Sequence, residues 1–196
     1  GHPDGAAGGP APPITLTATF AGFTGELGAT KREGLASIYR DHADVLGLTY
    51  YPLRVEPAST TDYEFRMLPP DVVGAQVDAV VARARALEVE AGRALPIVFK
   101  EVGYPTSAVN DASEARQATF FENFFASWDR HREAIPRVSV LRLYDLSEAA
   151  TQRSIDELLG DPPVVGPAVV EAYGAYVRTL GLVTFEGVEK RAHGTV

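Results

Sequence analysis

The sequence predicts an α/β fold in which parallel strands alternate with helices along the chain. Short runs with the composition of β-strands are separated by longer segments with helical periodicity, from about residue 14 to the C terminus. Such alternation is typical of parallel strands joined by right-handed crossovers. The 196 residues, 45% of them hydrophobic and 22% charged, have an ordinary globular composition that can form a substantial core.

Four segments have the character of strands. They span residues 14–20, 44–51, 95–102 and 138–144. The second is largely apolar, as expected of a parallel strand that is covered on both faces. We expect these four segments to form one parallel sheet.

Three segments carry apolar residues with the period of a helix that is buried on one face. The stripes are Val73, Val77, Val80, Val81, Ala84 and Leu87, then Phe121, Phe124, Phe125 and Trp128, and finally Val169, Tyr173, Tyr176, Val177 and Leu180. Asp111 and Glu114 have the spacing of a capping box before the second helix. Gly181 follows the third stripe and is its predicted C-cap.

Residues 1–13 differ in composition from the rest of the chain. They hold four Gly, four Pro and three Ala, a set of residues that cannot bury an apolar face. We therefore expect a flexible N-terminal segment at residues 1–13 and one domain at residues 14–196. Because the chain begins with Gly1 rather than Met, we expect the native N terminus to lie upstream.

Charge and composition exclude several classes of function. The formal net charge is −8 and no Lys/Arg-rich stretch reverses it, which argues against nucleic acid or an anionic membrane as a partner. The chain has no cysteine, so disulfides and thiolate chemistry are excluded. The four histidines lack the spacing of metal ligands, and no apolar run is long enough to span a membrane. We expect neither a metal nor a cofactor.

The absence of phosphate-binding motifs favours one of the two architectures that this alternation allows. A doubly wound sheet that binds nucleotides or phosphate would usually carry GxGxxG or GxxxxGK[ST], and neither occurs. This favours a (β/α)8 (TIM) barrel, which has eight strands and about 250 residues. Only four strands are predicted here. The sequence therefore predicts half of a barrel, with residues 14–20 and 138–144 as its outer strands.

Glu101 is the leading candidate for a catalytic residue. The active site of such barrels lies at the C-terminal ends of the strands, and Glu101 is near the end of the third predicted strand. Strict alternation places Ile97, Phe99 and Glu101 on one face of the strand. We therefore expect Glu101 in the largest pocket, within reach of Tyr50 or Tyr51. In an isolated half barrel, Ile97 and Phe99 would be uncovered on the concave face.

Four stretches resemble the C-terminal half, strands five to eight, of retaining (β/α)8-barrel glycoside hydrolases. DVLGLTYYPL at residues 44–53 resembles the sixth strand, close to the endo-galactanase pattern. LPIVFKEVGYPTS at 95–107 resembles the seventh, VSVLRLYDLSE at 138–148 the eighth, and LGLVTFEGVEKRAH at 180–193 the closing stretch. The resemblance covers almost the whole chain from Ile14 to His193.

The resemblance implies roles for six residues. Glu101 corresponds to the glutamate that acts as the nucleophile of the family. The residues expected to contact the sugar are Tyr50, Tyr51, Tyr104, Tyr144 and Asp145. Simpler interpretations stay open, because the tyrosines at residues 50 and 51 also suit packing at the rim and Asp145 also suits a structural loop cap.

The chain departs from the family in its second carboxylate. The family takes its acid/base from an Asn-Glu pair that ends strand four, and this chain contains no Asn-Glu dipeptide. We therefore expect a partner, either an N-terminal half barrel or a second copy of the chain, of which only the first would supply the acid/base. The alternative is a non-catalytic carbohydrate-binding or structural half barrel. The sugar and the localisation stay undetermined, although polysaccharide substrates would suit an exported enzyme.

Overall fold

The computed structural model describes residues 13–25, 28–57, 63–160, 163 and 165–196. The strands in these ranges are β1 (Thr15–Thr19), β2 (Val45–Tyr50), β3 (Leu53–Pro57), β4 (Tyr63–Met67), β5 (Ile97–Val102) and β6 (Arg137–Val140). The α-helices are α1 (Phe20–Thr24), α2 (Ala29–His42), α3 (Val73–Ala91), α4 (Glu114–Arg130), α5 (Glu148–Leu159) and α6 (Pro167–Arg178). Short 3₁₀ helices span Pro70–Val72, Ala108–Asn110 and Arg191–Thr195. Residues 1–12 of the predicted flexible segment lie outside the described ranges.

The four predicted strands form one parallel sheet in the order β1-β2-β5-β6. Each strand of this sheet lies beside the one that precedes it in the chain, and the order never reverses. A doubly wound sheet reverses its strand order at a switch point, whereas a barrel winds in one direction only. The observed α/β architecture is therefore compatible with part of a (β/α)8 barrel. The fourth strand ends at Val140, earlier than predicted.

The core lies between one face of this sheet and the helices. Tyr50 of β2 stacks near Phe124 of α4 with ring centroids 5.9 Å apart, and Phe99 of β5 meets the same ring edge-on at 5.2 Å. The predicted apolar stripe of α3 is buried, as are Phe121 and Phe124 of the α4 stripe, while Phe125 and Trp128 are half-buried. Burial of these side chains supplies most of the driving force for the fold.

The expectation that Ile97 and Phe99 would be uncovered was wrong. Both are fully buried against the helices. The opposite face of the sheet carries polar residues, including Thr15, Lys100 and Arg137. The core thus occupies only one face of the sheet, and the other face is mixed, with Val45 and Val98 among these polar residues.

The sequence did not predict the antiparallel hairpin of β3 and β4, which follows β2 directly. Two predicted helix caps were also wrong. The N-cap of α4 is Ser113, whose side chain accepts from the backbone N–H of Arg116, while Asp111 adopts a left-handed conformation with φ 55°. The last helix ends at Arg178, before Gly181.

The two outer strands of the sheet are β1 and β6, as predicted. Within the described ranges, neither strand has a partner on its outer side. An unpaired strand presents free backbone N–H and C=O groups, so both edges can accept a further strand. No helix in these ranges is both long and apolar enough to cross a membrane.

Candidate active site

A β-bulge in β5 determines the direction of the Glu101 side chain. Leu48 of β2 pairs with Phe99, but the next residue, Thr49, pairs with Glu101 and not with Lys100. One extra residue in β5 interrupts the alternation, and such bulges re-aim side chains next to active sites. Glu101 therefore faces away from the core that holds Phe99. The predicted alternation of Ile97, Phe99 and Glu101 on one face was wrong for this reason.

Tyr51 binds Glu101 at the C-terminal end of the sheet. Its hydroxyl donates a hydrogen bond of 2.9 Å to Oε2 of the carboxylate. The second oxygen, Oε1, accepts no hydrogen bond from any residue in the described ranges. The arrangement therefore holds the carboxylate at one oxygen and leaves the other available for chemistry.

Burial raises the pKa of Tyr51 above its usual range, with further contributions from the hydrogen bond and the charge of Glu101. Arg142, near the end of β6, opposes this shift because its positive charge favours the phenolate. The net effect keeps Tyr51 neutral. It therefore remains a hydrogen-bond donor to Glu101 at any pH near neutrality.

Two neighbours fix the ring of Tyr51. The ring of Tyr176 from α6 packs against it edge-on, with centroids 6.1 Å apart. Gly103 lies beneath it, and a Cβ at that position would come within 2.8 Å of Cε1 of Tyr51. The residue after β5 must therefore be small for the ring to reach Glu101.

A cavity of about 770 Å³ opens beside this pair. Its lining includes Tyr51, Tyr176 and Thr49 and extends along the hairpin strand β3 through Arg54 and Glu56. Glu101 borders the cavity through its contact with Tyr51 but is not part of the lining. Glu101 was expected inside a pocket, and it lies beside this cavity instead.

Tyr50 and Tyr104, two of the expected sugar contacts, lie in the core. Both are fully buried. The hydroxyl of Tyr50 donates to Oε1 of Gln76 at 2.7 Å, and that of Tyr104 donates to the backbone carbonyl of Leu68 at 3.0 Å. Their burial leaves no surface for a sugar to stack on, so the expected contact is not available in this structure.

Asp145 forms a largely buried ion pair with Lys190. Nζ of Lys190 lies 2.7 Å from Oδ1 of Asp145, and the two side chains are 2% and 12% exposed. The same oxygen accepts the backbone N–H of Gly181 at 2.9 Å. These contacts occupy Oδ1 with internal partners, which matches the loop-cap interpretation and not a sugar contact. Tyr144, by contrast, is 55% exposed and free to contact a ligand.

Several residues around Glu101 were not predicted as part of a site. Arg142 belongs to no recognisable catalytic motif; it is half-buried and donates to the carbonyl of Val177 at 3.2 Å. Tyr176 appeared only as part of a helical stripe, and Arg54 and Glu56 belong to the unpredicted hairpin. A strand-like run soon after Tyr51 was the one available signal for the hairpin. No cluster of three or more potential metal ligands occurs in the described ranges.

Comparison with known proteins gives only distant structural similarity. A β-xylosidase from Caulobacter crescentus CB15 matches 83% of this chain and 29% of its own, with 18% identity and a TM-score of 0.45. The match to a Rhizomucor miehei β-1,3-glucanosyltransferase covers 92% of this chain and 49% of that protein, with 10% identity and a TM-score of 0.44. The match to the β-glycosidase BGL167 covers 92% of this chain and 38% of that protein, with 12% identity and a TM-score of 0.48. The chain thus spans less than half of each of these structures.

No family model matches the sequence, and no curated protein matches it.

Proposed function

We propose that this chain is the nucleophile-bearing part of a retaining β-glycosidase and that Glu101 is the nucleophile. The observation that carries the proposal is the hydrogen bond from Tyr51 to Oε2 of Glu101 at the C-terminal end of a parallel strand. The bulge directs this carboxylate out of the core, and the cavity beside it can hold a sugar. The sequence resemblance of residues 95–107 to the nucleophile strand of such enzymes supports the same assignment.

The proposed reaction begins with attack of Oε1 of Glu101 on the anomeric carbon. The bond from that carbon to the leaving oxygen breaks, and the leaving oxygen takes a proton from an acid. Water then cleaves the glycosyl ester and restores the carboxylate. Tyr51 holds the other oxygen throughout, so its role is to position the nucleophile.

A retaining enzyme needs a second carboxyl group about 5 to 5.5 Å from the nucleophile. The carboxylate in the cavity lining is Glu56, which is exposed and lies 3.5 Å from Nη1 of Arg54 in an ion pair. We propose that the acid/base comes instead from a complementary half barrel that pairs with the outer edges of β1 and β6. The chain alone would then form the glycosyl ester only from substrates that need no acid.

Burst kinetics test the proposal. An aryl glycoside with a strongly acidic phenol as leaving group needs no proton, so the chain should release one equivalent of phenol and then stall. Glu101→Gln should give no burst and keep the wild-type melting temperature. A burst of equal size in Glu101→Gln would refute the assignment.

The second candidate is a non-catalytic carbohydrate-binding or structural half barrel. It is favoured by the missing Asn-Glu pair. In that case, sugars would bind with equal affinity to the wild type and to Glu101→Gln, and neither protein would release phenol.

A further inference from the structure

The face of the sheet that points away from the helices carries a positive charge that no acidic side chain in the described ranges neutralises. We call this surface the open face and define it by Thr15, Thr17, Lys100, Arg137 and Ser139. Four of these residues, with Val45 and Val98, line a cavity of about 440 Å³ that lies on this face. Lys100 and Arg137 come from the neighbouring strands β5 and β6, and both are exposed. The net charge of the chain is −8, so this patch is opposite in sign to the rest of the molecule.

The Lys100 side chain lies flat across β2. Its Nζ donates to Oγ1 of Thr17 on β1 at 3.2 Å. It crosses above Gly47, where a Cβ would come within 2.8 Å of Cδ of Lys100. The stem of Lys100 therefore crosses β2, and its ammonium group lies on the open face beside Thr17 of the outer strand β1.

Neither cation has an acidic partner in the described ranges. Lys100 bonds to a hydroxyl, and Arg137 makes no hydrogen bond or ion pair there. Glu101 is the one acidic residue in β1, β2, β5 and β6, and one of its oxygens is bound to Tyr51 near the end of the sheet. A structure that covered this face would have to neutralise both charges, because an unpaired buried charge is strongly unfavourable.

A second copy of the chain cannot supply that neutralisation. In an eight-stranded ring with two-fold symmetry, Lys100 and Arg137 would meet their own counterparts across the interior. Four cations would then be enclosed, and no acidic residue other than Glu101 would come from the strands of the sheet. Electrostatics thus disfavours this assembly even though neither outer edge is paired by any described residue.

We infer that the open face binds a complementary β/α unit whose inward-facing side chains carry carboxylates at the level of Lys100 and Arg137, and that it rejects a second copy of this chain. The outer edges of β1 and β6, which no strand in the described part of the chain pairs with, flank this face and would pair with the outer strands of such a unit. The inference shares with the proposed function only the completed barrel. It concerns assembly, so it can fail while Glu101 remains the nucleophile, and the reverse also holds.

The test uses a charge-inverted copy of the chain as the acidic partner. Lys100→Glu/Arg137→Glu presents two carboxylates where the wild type presents two cations. Mixed in equal amounts and examined by sedimentation equilibrium and native mass spectrometry, the two proteins should form a heterodimer at least ten-fold more readily than either forms a homodimer. Sodium chloride at molar concentration should reduce this preference. The matched control is Lys31→Glu/Arg153→Glu, which changes the same number of charges elsewhere on the surface.

Each outcome decides the inference. Preferential pairing with the open-face variant but not with the control variant supports it, provided circular dichroism shows all proteins folded. A wild-type homodimer that is as tight as the heterodimer would assign the face to a second copy and overturn it. Equal pairing with both variants, or none, would also overturn it. Stabilisation of the wild type by sulfate without heterodimer formation would assign the face to small anions instead.

Discussion

Tyr51 and Glu101 lie 50 residues apart in the chain and share a hydrogen bond of 2.9 Å across neighbouring strands. Tyr51 follows the last residue of β2, and Glu101 is brought to the same side of the sheet by the bulge in β5. The pair therefore depends on strand register and on the bulge together. Substitutions that move either element should change the chemistry of the carboxylate without unfolding the chain.

Replacing Gly103 by alanine should separate this pair. The new Cβ would come within 2.8 Å of Cε1 of Tyr51. The ring of Tyr51 packs on Tyr176, so moving it away from this Cβ would disrupt that contact. Displacement of the ring by about 1 Å should slow the phenol burst by about 10²-fold.

Gly34→Ala is the control, because Gly34 has open space around it in α2. It should leave the burst unchanged and stabilise the chain by about 0.5 to 1 kcal/mol. Equal bursts in both variants would contradict this account of the site.

Lys190→Met should destabilise the chain by about 3 to 5 kcal/mol, because it leaves the carboxylate of Asp145 buried without its cation. Replacing both partners, in Lys190→Met/Asp145→Leu, should recover part of that loss. Arg85→Met removes the exposed partner of an ion pair with the half-buried Glu88, whose carboxylate keeps its hydrogen bond from the backbone N–H of Leu95, and should cost less than about 1 kcal/mol. Urea unfolding measures all three values. A loss for Lys190→Met as small as that for Arg85→Met would mean that Asp145 is not a structural residue.

Alkaline pH should weaken the fold through its buried tyrosines. Burial raises the pKa of Tyr104 to about 12, and burial also raises the pKa values of Tyr39, Tyr51 and Tyr176. Because the folded-state pKa lies above the unfolded value of about 10, proton release favours unfolding. The stabilisation should be complete below pH of about 10 and should fall as pH rises toward 12 and beyond.

Urea unfolding at successive pH values, with tyrosinate absorbance followed in parallel, measures this loss. Tyr104→Phe should be less stable at neutral pH by about 1 kcal/mol, since it loses the hydrogen bond to Leu68, but less sensitive to alkali than the wild type. Identical alkaline profiles for the two proteins would exclude Tyr104 as a contributor.

Glu56→Gln tests whether the acid/base lies in this chain. If a complementary half barrel supplies that group, the wild type should stall after its burst, and the substitution should change the rate of the burst by less than about three-fold, because Glu56 is an exposed residue paired with Arg54. Steady turnover in the wild type that is lost in the variant and restored by added azide would instead identify Glu56 as the acid/base. The measurement is steady-state and burst kinetics with and without azide.

The sequence was sufficient to predict the parallel sheet, its outer strands and a position of Glu101 within reach of Tyr50 or Tyr51, but it did not distinguish between the two tyrosines. Hydrophobic patterning carries that information directly, since β2 and β5 are apolar runs that end in polar residues. It could not reveal the bulge, because nothing in Lys100 or Glu101 distinguishes an inserted residue from a regular alternating one. The prediction assumed strict alternation and therefore put Ile97 and Phe99 on the same face as Glu101, whereas both are buried on the opposite face.

Other side chains were misplaced because their partners are distant in the chain. Asp145 forms an ion pair with Lys190, 45 residues away, and the hydroxyl of Tyr104 donates to the carbonyl of Leu68. No local pattern predicts such contacts. The N-cap of α4 was mispredicted for a different reason. Ser113 and Asp111 are both good capping residues, and the backbone conformation determines which of them caps the helix.

Covalent labelling tests the central claim most directly. The chain is incubated with a panel of 2-deoxy-2-fluoro glycosyl fluorides, whose leaving group needs no acid, and is then digested and examined by mass spectrometry. The account predicts one added fluorosugar per chain on Glu101, carried by the peptide that contains residues 97–102, and none in Glu101→Gln. An adduct on another residue, an equal adduct in Glu101→Gln, or no adduct from any sugar of the panel would contradict it.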